Sequence, residues 1–248
     1  MSIVRRSVAE ALGTALLLMT VIGSGIMGER LAGGNIAIAL LANTLATGAA
    51  LIALILTFGP ISGAHFNPVV TLAGAARGDI SWRDAQAYIV AQILGAFTGV
   101  AVAHLMFAEP AFSISRHVRA GGAQIFSEFV ATFGLLSVIW GVSRSRKEAV
   151  SFAVGAYITA AYWFTASTSF ANPAVTLART VSDTFAGIRP ADALGFIVAQ
   201  LIGAAAATVM FRWMLTSSPE EGLSNNETSA QSPPIAKAPD GALINDRH

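Results

Sequence analysis

Two copies of one short phrase carry the polar chemistry of this chain: Asn67-Pro68-Val69-Val70-Thr71-Leu72-Ala73 and Asn172-Pro173-Ala174-Val175-Thr176-Leu177-Ala178. Asn is among the best helix N-caps, and Pro is tolerated at the first helical position, where an N–H would find no partner anyway. Each phrase therefore opens a helix. The Asn amides offer N–H donors to whatever lies beside them, and each helix N-terminus adds roughly half a positive elementary charge. A polar uncharged solute fits that chemistry, whereas a cation is repelled.

The elements that position these phrases belong in a membrane. No Asp, Glu, Lys or Arg occurs from residue 31 to 76 or from 149 to 178. Hydrophobic residues make up 54% of the chain and charged residues 12%, against about 25% charged in soluble domains. Mean hydropathy is +0.63. A span needs about 20 apolar residues, and six such stretches lie near 7–28, 35–57, 85–107, 124–143, 149–168 and 191–215. The pieces 67–76 and 172–181 are too short to cross. Glu10 interrupts the first span, and no clean cleavage motif follows it, which argues against a removed signal. Irregular backbone at membrane depth persists only where protein buries it or a watery cavity solvates it. Broken helices meeting near the midplane mark solute sites.

Basic residues set the orientation. Arg5, Arg6, Arg77, Arg83, Arg144, Arg146, Lys147 and Arg212 fall on one side, against Arg30, Arg116, Arg119, Arg179 and Arg189 on the other. This bias favours cytoplasmic N- and C-termini in a plasma or inner membrane. Cysteine is absent, which excludes disulfides and thiol catalysis. His104 and His117 stand apart with no ligand cluster, so neither metal nor cofactor nor enzymatic activity is expected. The net charge of +1 implies no polyanionic partner such as nucleic acid. Residues 216–248 hold four of the nine prolines and five acids against two bases, and read as a disordered cytoplasmic tail behind a channel domain of residues 1–215.

The chain also repeats itself. Ile89-Val90-Ala91-Gln92-Ile93-Leu94-Gly95-Ala96 recurs as Ile197-Val198-Ala199-Gln200-Leu201-Ile202-Gly203-Ala204, and Glu10-Ala11-Leu12-Gly13-Thr14 is echoed by Glu128-Phe129-Val130-Ala131-Thr132. The copies, about 7–107 and 124–215, hold three spans each, so the second must lie inverted relative to the first. The two short helices then enter from opposite faces and meet N-terminus to N-terminus.

With paired Asn-Pro phrases half a chain apart, a Glu in the first and fourth spans and Ala-Gln-x-x-Gly-Ala in the third and sixth, the sequence resembles the aquaporin or major intrinsic protein family over about residues 7–215. The resemblance implies an all-α membrane protein of six spanning helices and two re-entrant half-helices around one pore per protomer, assembled as a homotetramer in the lipid bilayer. It assigns Asn67, Pro68, Val69, Asn172, Pro173 and Ala174 to the pore centre. Glu10 and Glu128 are assigned to supporting the loops before the half-helices, with proton relay as the rival role.

By offset from the two Asn residues, the family's selectivity positions fall on Thr47, Ala160, Ser169 and Val175. The family nearly always has Arg at the last of these. None of the four is aromatic or charged, so a wide constriction is expected. Such a filter disfavours strict water selectivity and suits glycerol, urea or undissociated metalloid acids such as arsenite and boric acid, with water passing incidentally. The departure at Val175 resembles bacterial members associated with arsenic resistance. Arg179 lies one turn beyond Val175, about 6 Å along the helix, and its side chain leans back toward the constriction. It either replaces the missing arginine in part or snorkels outward and pairs with Asp183. Gln92 and Gln200 read as buried amides bonding across helices, and His65 either lines a vestibule or packs in its loop. The alternatives are a water-selective aquaporin and an ion-coupled secondary transporter, the latter needing an ion site that the motifs do not supply.

Overall fold

The half-helices are built from the caps that the sequence announces. In the computed structural model, which describes residues 1–215, α1 spans Ile3–Leu31, α2 Ile36–Ser62, α3 Pro68–Arg77 and α4 Trp82–Met106. The second copy follows with α5 Gly122–Ser145, α6 Val150–Phe164, α7 Pro173–Arg179 and α8 Pro190–Leu215. The short helices α3 and α7 begin at the two Asn-Pro pairs. Asn67 Oδ1 accepts from Val69 N at 3.1 Å, and Asn172 Oδ1 accepts from Ala174 N at 3.0 Å and Val175 N at 3.3 Å. Gly63 at φ 89° ends α2, and Gly78 at φ 86° ends α3. Both conformations belong to the left-handed region that glycine enters freely.

Residues 1–211 form one compact unit. A second runs from 212 to 248, and of it only residues 212–215, the last of α8, are described. The tail expected at 216–248 lies outside the described residues.

Among the described residues five helices, α1, α2, α4, α5 and α8, are long and apolar enough to cross a membrane. The expected span at 149–168 is different. Its helix α6 has 15 residues, about 22 Å at 1.5 Å per residue, which falls short of the ~30 Å hydrocarbon core. A 3-10 turn, Lys147–Ala149, precedes it, and irregular chain with turn and left-handed residues follows from Thr165. The apolar run that suggested a full span also covers the loop leading to Asn172. Burial inside the protein, rather than helical continuity, makes that loop tolerable at depth.

The repeated Gly positions set how closely helices approach. A Cβ on Gly95 or Gly99 of α4 would run into the backbone carbonyls of Ala11 and Ala15 on α1, and one on Gly203 of α8 would meet the Phe129 carbonyl of α5. The Gly95-x-x-x-Gly99 pattern thus serves packing within one protomer. Helix α1 presses against α2 and α4, α5 against α6, and α2 against α6 across the two copies.

Gly95→Ala forces α1 and α4 apart against backbone, and overpacking of this kind costs about 1–3 kcal/mol. A lower melting temperature in detergent micelles is the expected result. An unchanged melt would show that α1 and α4 can separate without cost.

Candidate functional site

The N-termini of α3 and α7 abut. Asn67 Nδ2 donates to Ala171 O at 2.8 Å, and Asn172 Nδ2 donates to Phe66 O at 2.8 Å, a reciprocal pair that ties each half-helix to the loop before the other. Each amide nitrogen carries two hydrogens. One is spent on this lock, and the other is left for the cavity that both residues line.

The loops before the half-helices are strained in matching places. Ala64 and Phe66 sit at φ 51° and 50°, Ser169 and Ala171 at 51° and 48°, three residues and one residue before each Asn. Left-handed backbone costs a residue with a Cβ about 1–2 kcal/mol, so something must hold it. Glu10 and Glu128 do. Glu10 accepts from His65 N at 3.0 Å, Phe66 N at 2.7 Å and Ser62 Oγ at 2.6 Å. Glu128 accepts from Phe170 N and Ala171 N, both at 2.8 Å. Phe66 N and Ala171 N are thus held directly by a carboxylate, whereas Ala64 N and Ser169 N donate to Ser62 Oγ at 3.1 Å and Ser167 Oγ at 3.2 Å.

Gln92 and Gln200 complete each copy by bridging carboxylate and half-helix. Gln92 Nε2 donates to Glu10 at 2.8 Å and Thr71 Oγ1 at 2.9 Å, and Gln200 Nε2 to Glu128 at 2.6 Å and Thr176 Oγ1 at 2.9 Å. Both carboxylates are fully buried and fully engaged as acceptors, an arrangement suited to holding a loop rather than passing protons. His65 does both things expected of it as alternatives: its Nδ1 pairs with Thr71 Oγ1 at 3.0 Å, and the residue lines the cavity.

The same geometry makes the pore polar on one side. In a trans peptide the N–H and C=O point in opposite directions. With the N–H groups of His65, Phe66, Phe170 and Ala171 turned to the carboxylates, the carbonyls of Ala64, His65, Ser169 and Phe170 point toward the cavity that those residues line. Facing them are apolar rows at helical i, i+4 spacing: Leu17 and Val21 of α1, Leu51 and Ile55 of α2, Leu135 and Ile139 of α5, and Val154 and Ile158 of α6. The cavity holds about 260 Å³ and runs from Asp79 and Trp140 at one end, past both Asn residues, to Arg179 at the other.

At the Arg179 end the structure brings together Thr47, Ser169 and Val175, as the offsets place them, but not Ala160. Ala160 is exposed on the outer face of α6. The pore-facing row of that helix is Val150, Val154, Ile158 and Tyr162, and Tyr162 takes the place at the mouth, donating from its hydroxyl to Thr47 Oγ1 at 3.3 Å. Counting back from Asn172 assumes a fixed loop length, whereas α6 presents the face set by its own i, i+4 register. The mouth is thus not free of aromatic rings, contrary to the expectation from the four offsets.

Arg179 is 2% exposed and lines the cavity. Its guanidinium lies 3.4 Å from the centroid of the Phe170 ring, and its Nε donates to Ala186 O. It does not pair with Asp183, which instead binds Arg116 through backbone N and Nε, both at 2.9 Å.

Sequence reasoning passed over Phe170, Arg119 and Trp140. Arg119, from the loop between α4 and α5, donates to Gly187 O at 2.8 Å and to Thr168 Oγ1 at 3.3 Å, and its guanidinium lies 5.1 Å from the Phe170 ring. Burial draws it down to about 10, against the opposing pull of Tyr162 and Glu128, so it stays charged at neutral pH. Trp140 lines the opposite mouth under the Arg77 guanidinium, 4.3 Å from its ring, with its indole N–H buried and unpartnered. A lone charge in a loop and a lone Trp in a span carry no periodicity, so nothing marked them.

Paired broken helices meeting inside an apolar helical shell around a through-running cavity define a membrane channel of the aquaporin kind. The family model for major intrinsic proteins matches residues 1–151 and 142–237, and the chain belongs to that family. It is 56% identical over 211 residues to aquaglyceroporin AqpS of Rhizobium meliloti (strain 1021), covering 85% of this chain and 90% of that protein. Aquaporin NIP3-1 of Oryza sativa subsp. japonica is 32% identical over 164 residues, which span 64% of this chain and 52% of its own length. The fold matches the X-ray structure of the aquaglyceroporin from Plasmodium falciparum with TM-score 0.65 at 23% identity, covering 85% of this chain and 94% of that one.

Glu128→Ala leaves the buried Phe170 N and Ala171 N without their acceptor, and each orphaned donor costs about 1–3 kcal/mol. The variant is expected to melt far below the parent in detergent, and an equal melt would remove the carboxylate from its supporting role.

Proposed function

We propose that this channel for small neutral solutes passes glycerol-sized polyols and undissociated metalloid hydroxides such as arsenite, with water accompanying them. The observation that carries this reading is the make-up of the Arg179 mouth. Val175 and Tyr162 present apolar surface, while Arg179, Thr47 and the Ser169 carbonyl present polar groups beside it. A polyol has the same two-sided character, a hydrocarbon edge and a row of hydroxyls. With Val175 where family members nearly always carry Arg, the mouth loses a guanidinium there, and Arg179 supplies one a turn further along. In this reading Arg179 supports the filter made by Thr47, Ser169, Val175 and, in place of Ala160, Tyr162.

Further along, Asn67 and Asn172 each keep one N–H for the passing solute, and the carbonyls of the two loops accept from its hydroxyls in sequence. Flux follows the gradient: no acidic residue from the motifs faces the pore to couple it to an ion, and Asp79 at the far mouth is exposed and paired with Arg77. In the same reading both termini are cytoplasmic, four copies assemble in a plasma or inner membrane, residues 1–215 are the conducting unit, and residues 216–248 take no part in conduction.

Val175→Arg tests the assignment. It is expected to lower glycerol and arsenite flux in proteoliposomes severalfold more than water flux. An unchanged solute-to-water ratio would overturn the role of Val175.

A further inference from the structure

The Arg179 mouth holds more positive charge than a channel for neutral solutes needs. Arg179 makes one hydrogen bond, from Nε to Ala186 O, and its two terminal nitrogens have no acceptor among the described residues although the side chain is 2% exposed. The residue lines the cavity, with its guanidinium stacked on the Phe170 ring. Ser169 lines the same cavity, with its Oγ buried and without a hydrogen-bond partner among the described residues. Arg119 adds a second fixed guanidinium over the same Phe170 ring and is held there through the carbonyls of Gly187 and Phe185 and the Thr168 hydroxyl.

No carboxylate forms an ion pair with either arginine among the described residues. Asp183 is taken by Arg116, and Asp192 by Arg189. Glu128 faces both cations from behind the loop, and its oxygens already accept from Phe170 N, Ala171 N and Gln200 Nε2. The positive field reaches the surface: burial, then Arg119, then Arg179 hold the His117 ring below its ordinary value, with Asp183 opposing them.

A guanidinium with free terminal N–H groups binds a planar or tetrahedral oxyanion through two parallel hydrogen bonds. A neutral polyol can accept from the same donors but offsets neither of the two charges. We propose that this mouth is a binding site for a small monovalent oxyanion, which seats on the terminal nitrogens of Arg179 and competes there with the neutral solute. The competition rests on the conduction reading above, whereas the binding does not.

Nitrate is a suitable probe, since it is planar, singly charged and has no neutral form at working pH. Two readouts separate the claims. In detergent, nitrate replacing gluconate at constant ionic strength is expected to raise the melting temperature of the parent protein saturably, to do so less in Arg179→Lys and not at all in Arg179→Gln. In proteoliposomes the same exchange is expected to slow glycerol flux at least twofold in the parent. Absence of nitrate stabilisation in the parent, or equal stabilisation in folded Arg179→Gln, overturns the anion site. Stabilisation by nitrate without any glycerol flux leaves the anion site standing and overturns the conduction reading instead.

Discussion

Everything in this molecule depends on satisfying two stretches of irregular backbone at membrane depth. Lipid offers no hydrogen-bond partners, so every N–H of the loops before Asn67 and Asn172 needs one from the protein. Glu10 and Glu128 supply it from within spanning helices for His65, Phe66, Phe170 and Ala171, and a carboxylate is suited because it accepts several bonds at once. Its own burial is made tolerable by those same bonds and by Gln92 and Gln200. Once the N–H groups turn to the carboxylates, the carbonyls turn to the cavity. The polar wall of the pore is thus a by-product of how the loops are held.

The reciprocal amide lock extends this logic across the pseudo-symmetry axis. Asn67 and Asn172 each cap their own helix and close on the opposite loop. Neither half-helix can move without releasing the other. Placing the solute site at the junction of two repeats therefore gives it rigidity that neither copy has alone. Close approach of the supporting helices at Gly95, Gly99 and Gly203 brings each Gln within reach of its carboxylate.

The parts legible in the sequence were those that it states twice or through local chemistry. The Asn caps, the Pro at the first helical position, the paired Glu and Gln residues and the inverted order of spans could all be read because the second copy checks the first. What could not be read depends on the exact course of one loop or on a contact between distant segments. Ala160 and Tyr162 were exchanged because a count along the chain carries no knowledge of where α6 unwinds. The short α6 was hidden by an apolar run continuing into a buried loop. Arg119 reaches the mouth from a loop about 50 residues before Asn172, and no local pattern signals that. Arg179 was legible as a position, one turn beyond Val175, but its bonding to Ala186 and stacking on Phe170 depend on loops whose paths the sequence leaves open.

The central claim is that the half-helix junction conducts neutral solutes passively. Stopped-flow light scattering on proteoliposomes of the full chain, alongside Asn172→Leu, addresses it most directly. The account predicts glycerol flux well above that of protein-free vesicles, proportional to the gradient and indifferent to a protonophore, and lost in Asn172→Leu while that protein remains in the membrane. Flux that saturates and collapses with the protonophore, or that survives in Asn172→Leu, would contradict it.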